Sequence, residues 1–274
     1  MALGPLSMNM ATLNPQAPFQ DVIDACSRGG IRAVGALRDQ VARVGLSQAG
    51  SMLRSRGIEV TSLVRAGPFT ANDPVAAQAA IDDARRAIEE AAALDAACLV
   101  IFAGGLPAGS KDIGAAREMV RDAVGSILPE ARSAGVPLAI EPLHPIYAAE
   151  RACMNTLEQV LDICDELGAG VGAIVDTYHT WWDPKLSDQI ARAGRKGQIL
   201  GYHISDWLVP TGDMLLDRGM IGDGVIDLKT IGAWIEASGY CGSPEIEIFS
   251  ASNWWTMPAD EVIRICVERF AVNC

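Results

Sequence analysis

The chain alternates a short apolar run with an amphipathic, helix-favouring stretch eight times from end to end, and few folds accommodate that grammar. Runs of Val, Ile, Leu and Ala with no polar alternation suit parallel strands covered on both faces, and the stretches between them are long enough to cross back as helices. The pattern predicts strands over Leu6–Ala11, Ile31–Leu37, Ile58–Val64 and Cys98–Phe102, followed by four that run into Glu141, Asp176, His203 and Glu247. Helices are predicted over Phe19–Arg28, Ala49–Arg56, Pro74–Leu94 and Ile113–Ser133, from an Asn155 or Thr156 cap to Leu167, then over Pro184–Ala193, Asp227–Ser238 and Pro258–Phe270. Eight such units in 274 residues, half of them hydrophobic, predict one α/β domain over residues 1–274, a (β/α)8 TIM barrel with a single large core.

The last four strands carry an anomaly. Pro137–His144 (PLAIEPLH), Gly172–His179 (GAIVDTYH), Ile199–Asp206 (ILGYHISD) and Pro244–Ser250 (PEIEIFS) begin small and apolar and end in groups that a buried strand cannot carry unpaired. The three histidines of the chain, His144, His179 and His203, all lie in or just after these runs. In a (β/α)8 barrel the C-terminal strand ends converge on one face, so Glu141, Asp176, His203 and Glu247 can surround one point. Three carboxylates and one imidazole form a hard, mostly oxygen donor set. It suits Mn2+, Mg2+ or Co2+ better than a thiolate zinc site, although the histidine also admits Zn2+. Glu245 has the same strand parity as Glu247 but lies one pleat deeper, so Glu247 is taken as the ligand.

A divalent cation there would acidify a C–H between a carbonyl and a hydroxyl, and Glu141 and Glu247, from strands separated by two others, could flank that carbon as acid and base. His144 and His179 sit three residues past proposed ligands, placed to act as base or to bind a hydroxyl. Asp206 could orient His203 or accept from a bound group, and Arg218, in the long irregular segment Trp207–Gly224, could hold an oxygen or an anion. Five of the six tryptophans follow strands six to eight, so Trp181 and Trp207 are expected as flat walls for sugar C–H faces or as cover for a partner subunit. With Arg218 the only evident cation of the mouth, a phosphorylated substrate is disfavoured.

With E-P-L-H, V-D-T-Y-H, Y-H-I-S-D-W and I-E-I-F in hand, the chain resembles the sugar phosphate isomerase/epimerase superfamily of xylose isomerase-like barrels, with ketose 3-epimerase and inosose isomerase or dehydratase relatives. The resemblance implies a mononuclear Mn2+-type site with Glu141, Asp176, His203 and Glu247 as ligands, the two glutamates as proton-transfer pair, and His179 and Arg218 on the substrate. The sequence departs from the ketose epimerases after Glu141, where P-L-H-P-I-Y carries no carboxylate until Glu150. There His144 resembles the base of members that eliminate from 3-oxo sugars, including deglycosidase subunits that work with a second, smaller chain. The three-zinc abasic-site endonuclease branch, which needs many more histidines, is excluded, because strands three and four end without histidine and the net charge is −12.

The expectation is therefore a metal-dependent isomerase or epimerase of a keto-sugar or inosose. A lyase with His144 as base and a non-catalytic sugar-binding or scaffold subunit are the alternatives. A net charge of −12 opposes nucleic acid and anionic membrane surfaces. Seven cysteines without a C-x-x-C pair, and a start (MALGPLSMNMATL) without a basic region or long apolar core, point to a cytoplasmic protein with reduced, buried thiols. A homo-oligomer is expected.

Overall fold

The computed structural model describes residues 3–274, so the first two residues of the stretch read for a targeting leader, and of the expected domain, lie outside the described residues. Eight parallel strands close into a barrel in sequence order: β1 Ser7–Asn9, β2 Ala33–Leu37, β3 Glu59–Ala66, β4 Leu99–Ile101, β5 Leu138–Ile140, β6 Val171–Asp176, β7 Ile199–Ile204 and β8 Pro244–Ile246. The helices around it are α1 Phe19–Arg28, α2 Arg38–Val44, α3 Leu46–Ser55, α4 Pro74–Ala93, α5 Ile113–Ala134, α6 Leu157–Leu167, α7 Thr177–Thr180, α8 Leu186–Arg195, α9 Leu228–Ala237 and α10 Ala259–Asn273. The predicted (β/α)8 barrel is the fold observed.

Local chemistry sets many of the boundaries. Asp73, Asp112, Thr156 and Asp227 each accept a backbone N–H three residues on, capping α4, α5, α6 and α9. Each such cap is worth about 1 kcal/mol. Gly135, at φ 70°, ends α5 in the left-handed conformation that a side chain disfavours. Two helices escaped the sequence reading. Of these, α2 has a polar sequence, RDQVARV, with only Gln40 and Val41 buried. It is held instead by Arg38, which pairs with Asp83 at 2.8 Å and Glu90 at 2.7 Å on α4. The other, α7, is a single turn whose cap is Asp176 itself.

Inside the barrel the residues at every second position divide into two kinds. Cys98, Val100, Ala139 and Ile174 form a small apolar cluster of their own. Across from them Glu245 is buried and accepts from Asn9 Nδ2 (2.7 Å) and Ser62 Oγ (3.1 Å), as well as from the hydroxyls of Ser7 and Thr61. That network explains its depth: Glu245 is a buried structural carboxylate satisfied by β1 and β3. All seven cysteines are free among the described residues, but only five are buried, since Cys241 and Cys274 are exposed. No helix of the described residues is long and apolar enough to cross a membrane.

Gly35 in β2 makes room for this network. A Cβ there would lie 2.1 Å from Glu245 Oε1 and 2.9 Å from Asn9 Nδ2. Gly35→Ala is expected to destabilise the fold by about 1–3 kcal/mol, the usual range for overpacking a filled interior. Urea unfolding would measure it, and an unchanged midpoint would show that the carboxylate moves aside freely.

A candidate metal centre at the barrel mouth

Register brings the polar strand ends together. Asp176 of β6 pairs with His203 of β7, and His203 pairs with Glu245 of β8. Glu141 follows β5 directly, two residues past inward-facing Ala139, and Glu247 lies two residues past Glu245, so both point to the same side as these neighbours. One ligand atom each from Glu141, Asp176, His203 and Glu247 lies within 4.8 Å of the others. Glu245 stands outside that group.

Asp176 and Glu247 each have one oxygen held by a neutral donor, while the other faces Arg218. Asp176 Oδ1 accepts the N–H of Tyr178 at 2.7 Å, capping α7. Glu247 Oε1 accepts from Asn9 Nδ2 at 3.0 Å. His203 is 1 % exposed, with Nδ1 3.2 Å from Glu141 Oε1 and Nε2 3.5 Å from Glu245 Oε1. Burial opposes charge on His203, yet Glu245, Glu247 and Glu141 override it and hold the ring at about 10. Burial pushes Asp176 up to about 6 and also raises Glu247.

These shifts have a common origin. Four carboxylates, counting Glu245, face the guanidinium of Arg218 and the imidazole of His203, which carries a proton that the surrounding negative charge holds in place. A divalent cation would take the place of that proton, with His203 as a neutral donor, and the donors are the hard oxygens and imidazole that such ions take. The cluster fits a metal ion in both charge sign and donor type.

Arg218 is not an exposed loop arginine. It is 4 % exposed, with Nη1 3.1 Å from Asp176 Oδ2 and 3.0 Å from Glu247 Oε2, and its guanidinium lies over the rings of Tyr178 and Phe249. Burial works against its charge, but Asp176 and Glu247 more than offset this. His179 is buried beside it, and burial followed by the charge of Arg218 keeps the imidazole neutral. Two donors face the ring: the backbone N–H of His144 lies 3.2 Å from Nδ1 and Arg218 Nη2 lies 3.0 Å from Nε2. A neutral imidazole has a single acceptor nitrogen, so His179 accepts from one of the two and its tautomer decides which.

Three expectations need correction. Asp206 does not orient His203: its two oxygens accept the backbone N–H groups of Trp207, Gly222, Gly224 and Ile226, fixing the long loop. The His144 ring packs against Trp182 and Trp207, its Nδ1 accepts the N–H of Ile146, and it does not line the chamber at the cluster. Trp181 and Trp207 pack on each other, and Trp207 stacks on Tyr178 at 4.7 Å instead of walling the chamber. The chamber, about 60 Å3, is walled by Phe102, Tyr147 and Phe249 and opens onto a cleft of about 630 Å3. Phe102 was findable, since it follows β4 at the functional end of the barrel. Tyr147 and Phe249 carry no comparable signal.

The sequence model of the family described as xylose isomerase-like TIM barrel matches residues 23–268. A search of curated proteins finds no match. Among solved structures, a protein from Sinorhizobium meliloti 1021 is 59 % identical over 98 % of both chains, with a TM-score of 0.97. A zinc-bound IOLI protein is 19 % identical over 98 % of this chain and 97 % of its own, at a TM-score of 0.84. A D-psicose 3-epimerase solved with D-fructose is 16 % identical over 98 % and 97 %, at 0.77. The last two likenesses establish the fold alone.

Metal-stripped protein is expected to take up one Mn2+ or Co2+ per chain and to melt at a higher temperature when the ion is present, because the ion binds only the folded state. Asp176→Asn and Glu247→Gln should each weaken uptake by more than the roughly 10–100-fold that loss of a ligand-orienting residue costs. Calorimetric titration checks this, and unchanged affinity in the double variant would remove the centre.

Proposed function

The chain belongs to the xylose isomerase-like TIM-barrel family, and we propose that it is a divalent-metal-dependent isomerase or epimerase of a keto-sugar or inosose, working through an enediolate. The observation that carries this reading is the convergence of Glu141 and Glu247, from β5 and β8, on the point where Asp176 and His203 also meet. A divalent cation held by these four residues, Mn2+ first and Mg2+, Co2+ or Zn2+ as alternatives, would polarise a substrate carbonyl and its neighbouring hydroxyl, acidifying the C–H between them.

The residues of the chain do the rest. Glu141, the most open of the four, faces the chamber and takes the proton from the reacting carbon. Glu247 lines the same chamber and returns a proton to the opposite face, or to the adjacent carbon, which distinguishes epimerisation from isomerisation. Arg218 Nη2, with His179 beside it at 3.0 Å, donates to a substrate oxygen. Phe102, Tyr147 and Phe249 keep water from the carbanion. The lyase alternative loses support because His144, its base, stands among tryptophans outside the chamber. The free thiols support a cytoplasmic setting.

The Mn2+-loaded protein should catalyse exchange of substrate C–H for deuterium in a panel of 3-keto sugars, ketoses and inososes, followed by NMR. Glu141→Gln and Glu247→Gln should each slow exchange by about 10²–10⁴-fold. Undiminished turnover in the double variant would instead favour a scaffold or sugar-binding role.

A further inference from the structure

The barrel mouth holds two cations that this reaction leaves idle. Arg65, at the end of β3, and Arg151, in the loop after β5, line both the small chamber at the cluster and the large cleft outside it. Val64, Leu215 and Phe249 are shared in the same way, so the two arginines stand where one space opens into the other. Arg65 Cζ lies 3.9 Å from the centroid of Phe102, and Arg151 Cζ lies 5.6 Å from the same ring and 5.6 Å from that of Tyr147.

Packing on aromatic faces accounts for where the guanidinium groups sit, but not for their hydrogen bonding. A ring contacts the face of a guanidinium, whereas its N–H donors radiate from the edge and remain unspent. Among the described residues neither side chain has a carboxylate within 4 Å or any hydrogen-bond acceptor, and Arg151 Nε is buried without a partner. Arg38 in the same cleft shows the contrast, since Asp83 and Glu90 satisfy it. In a chain with 34 acidic and 22 basic side chains, carboxylates are plentiful, yet none of them reaches this pair.

The chamber at the cluster holds about 60 Å3 and shares its Arg65 and Arg151 lining with the cleft of about 630 Å3. A sugar with its reacting carbons beside the cluster would extend past the two arginines toward the cleft.

Building on the reaction proposed above, we infer that Arg65 and Arg151 form an anion subsite, and that the substrate is a sugar acid or sugar phosphate whose carboxylate or phosphate sits between them. This departs from the expectation against a phosphorylated substrate, which rested on Arg218 as the only evident cation of the mouth. Arg218 is occupied at the cluster, and the free positive charge lies elsewhere. An anion there is also shielded from Glu141 and Glu247 by the two guanidinium groups.

The test is calorimetric binding of D-fructose, D-fructuronate and D-fructose 6-phosphate, with inorganic phosphate and malonate as minimal probes, to metal-free and Mn2+-loaded protein. At least one charged sugar should bind about tenfold or more tightly than fructose, the effect of one charge-assisted hydrogen bond. Arg65→Gln and Arg151→Gln should each erase that margin, costing the charged sugar about tenfold more affinity than fructose, with the circular dichroism spectrum unchanged, and the lysine variants should restore part of it. A margin confined to fructuronate assigns a carboxylate, and one confined to fructose 6-phosphate assigns a phosphate. Equal affinity for all three sugars, or a margin that survives the double variant, overturns the subsite. An arginine-dependent margin without C–H exchange in any substrate would defeat the reaction and leave the subsite standing. Exchange of neutral ketoses with no margin would do the reverse.

Discussion

Four carboxylates crowd the inside of one end of the barrel, and much of the molecule is arranged to make that concentration of buried charge tolerable. Ionised groups taken out of water are costly unless paired and hydrogen-bonded. Each has been met differently. Glu245 is saturated by neutral donors from β1 and β3. Asp176 spends one oxygen on capping α7. Glu247 shares Asn9 and Arg218. Among the described residues Glu141 accepts from His203 alone, and it lines the chamber. The least committed carboxylate, Glu141, is also the most exposed of the four, and it shares the chamber with Glu247.

How much of this could be read in advance depends on whether a residue lies on a strand. Glu141, Asp176, His203 and Glu247 were legible because strand periodicity and barrel geometry fix both the face and the end at which a side chain emerges. The choice of Glu247 over Glu245 followed from one pleat of depth, and the cluster contains Glu247. Loop residues were another matter. No period fixes where the side chains of Arg218, His144, Asp206 or the tryptophans point. Asp206 looked like a ligand-orienting group because of its sequence neighbour His203, yet its oxygens serve the loop backbone. The helix α2 was hidden because a long-range ion pair, not an apolar stripe, holds it.

The resulting field changes sign over a short distance. An acidic centre lies inside a rim of Arg65 and Arg151, while the molecule as a whole is strongly anionic. Net charge governs long-range attraction, but a cleft concentrates its local charges. A reading based on the net value alone favours neutral ligands, whereas the lining residues favour an anion with an oxygen-rich head. Fold membership cannot distinguish these, since a barrel of this kind determines where a site lies and not what it takes.

The four backbone bonds to Asp206 also bear on how molecules reach the interior. Together with the strand-like bridge from Asp206 to Gly219 and the hydroxyls of Tyr147 and Tyr178 on the Met214 carbonyl, they staple the segment that delivers Arg218 at its root, middle and far side. A segment fastened at so many points swings poorly, because every stitch must break together. The segment that carries Arg218 therefore forms a fixed wall of the mouth and not a hinged flap.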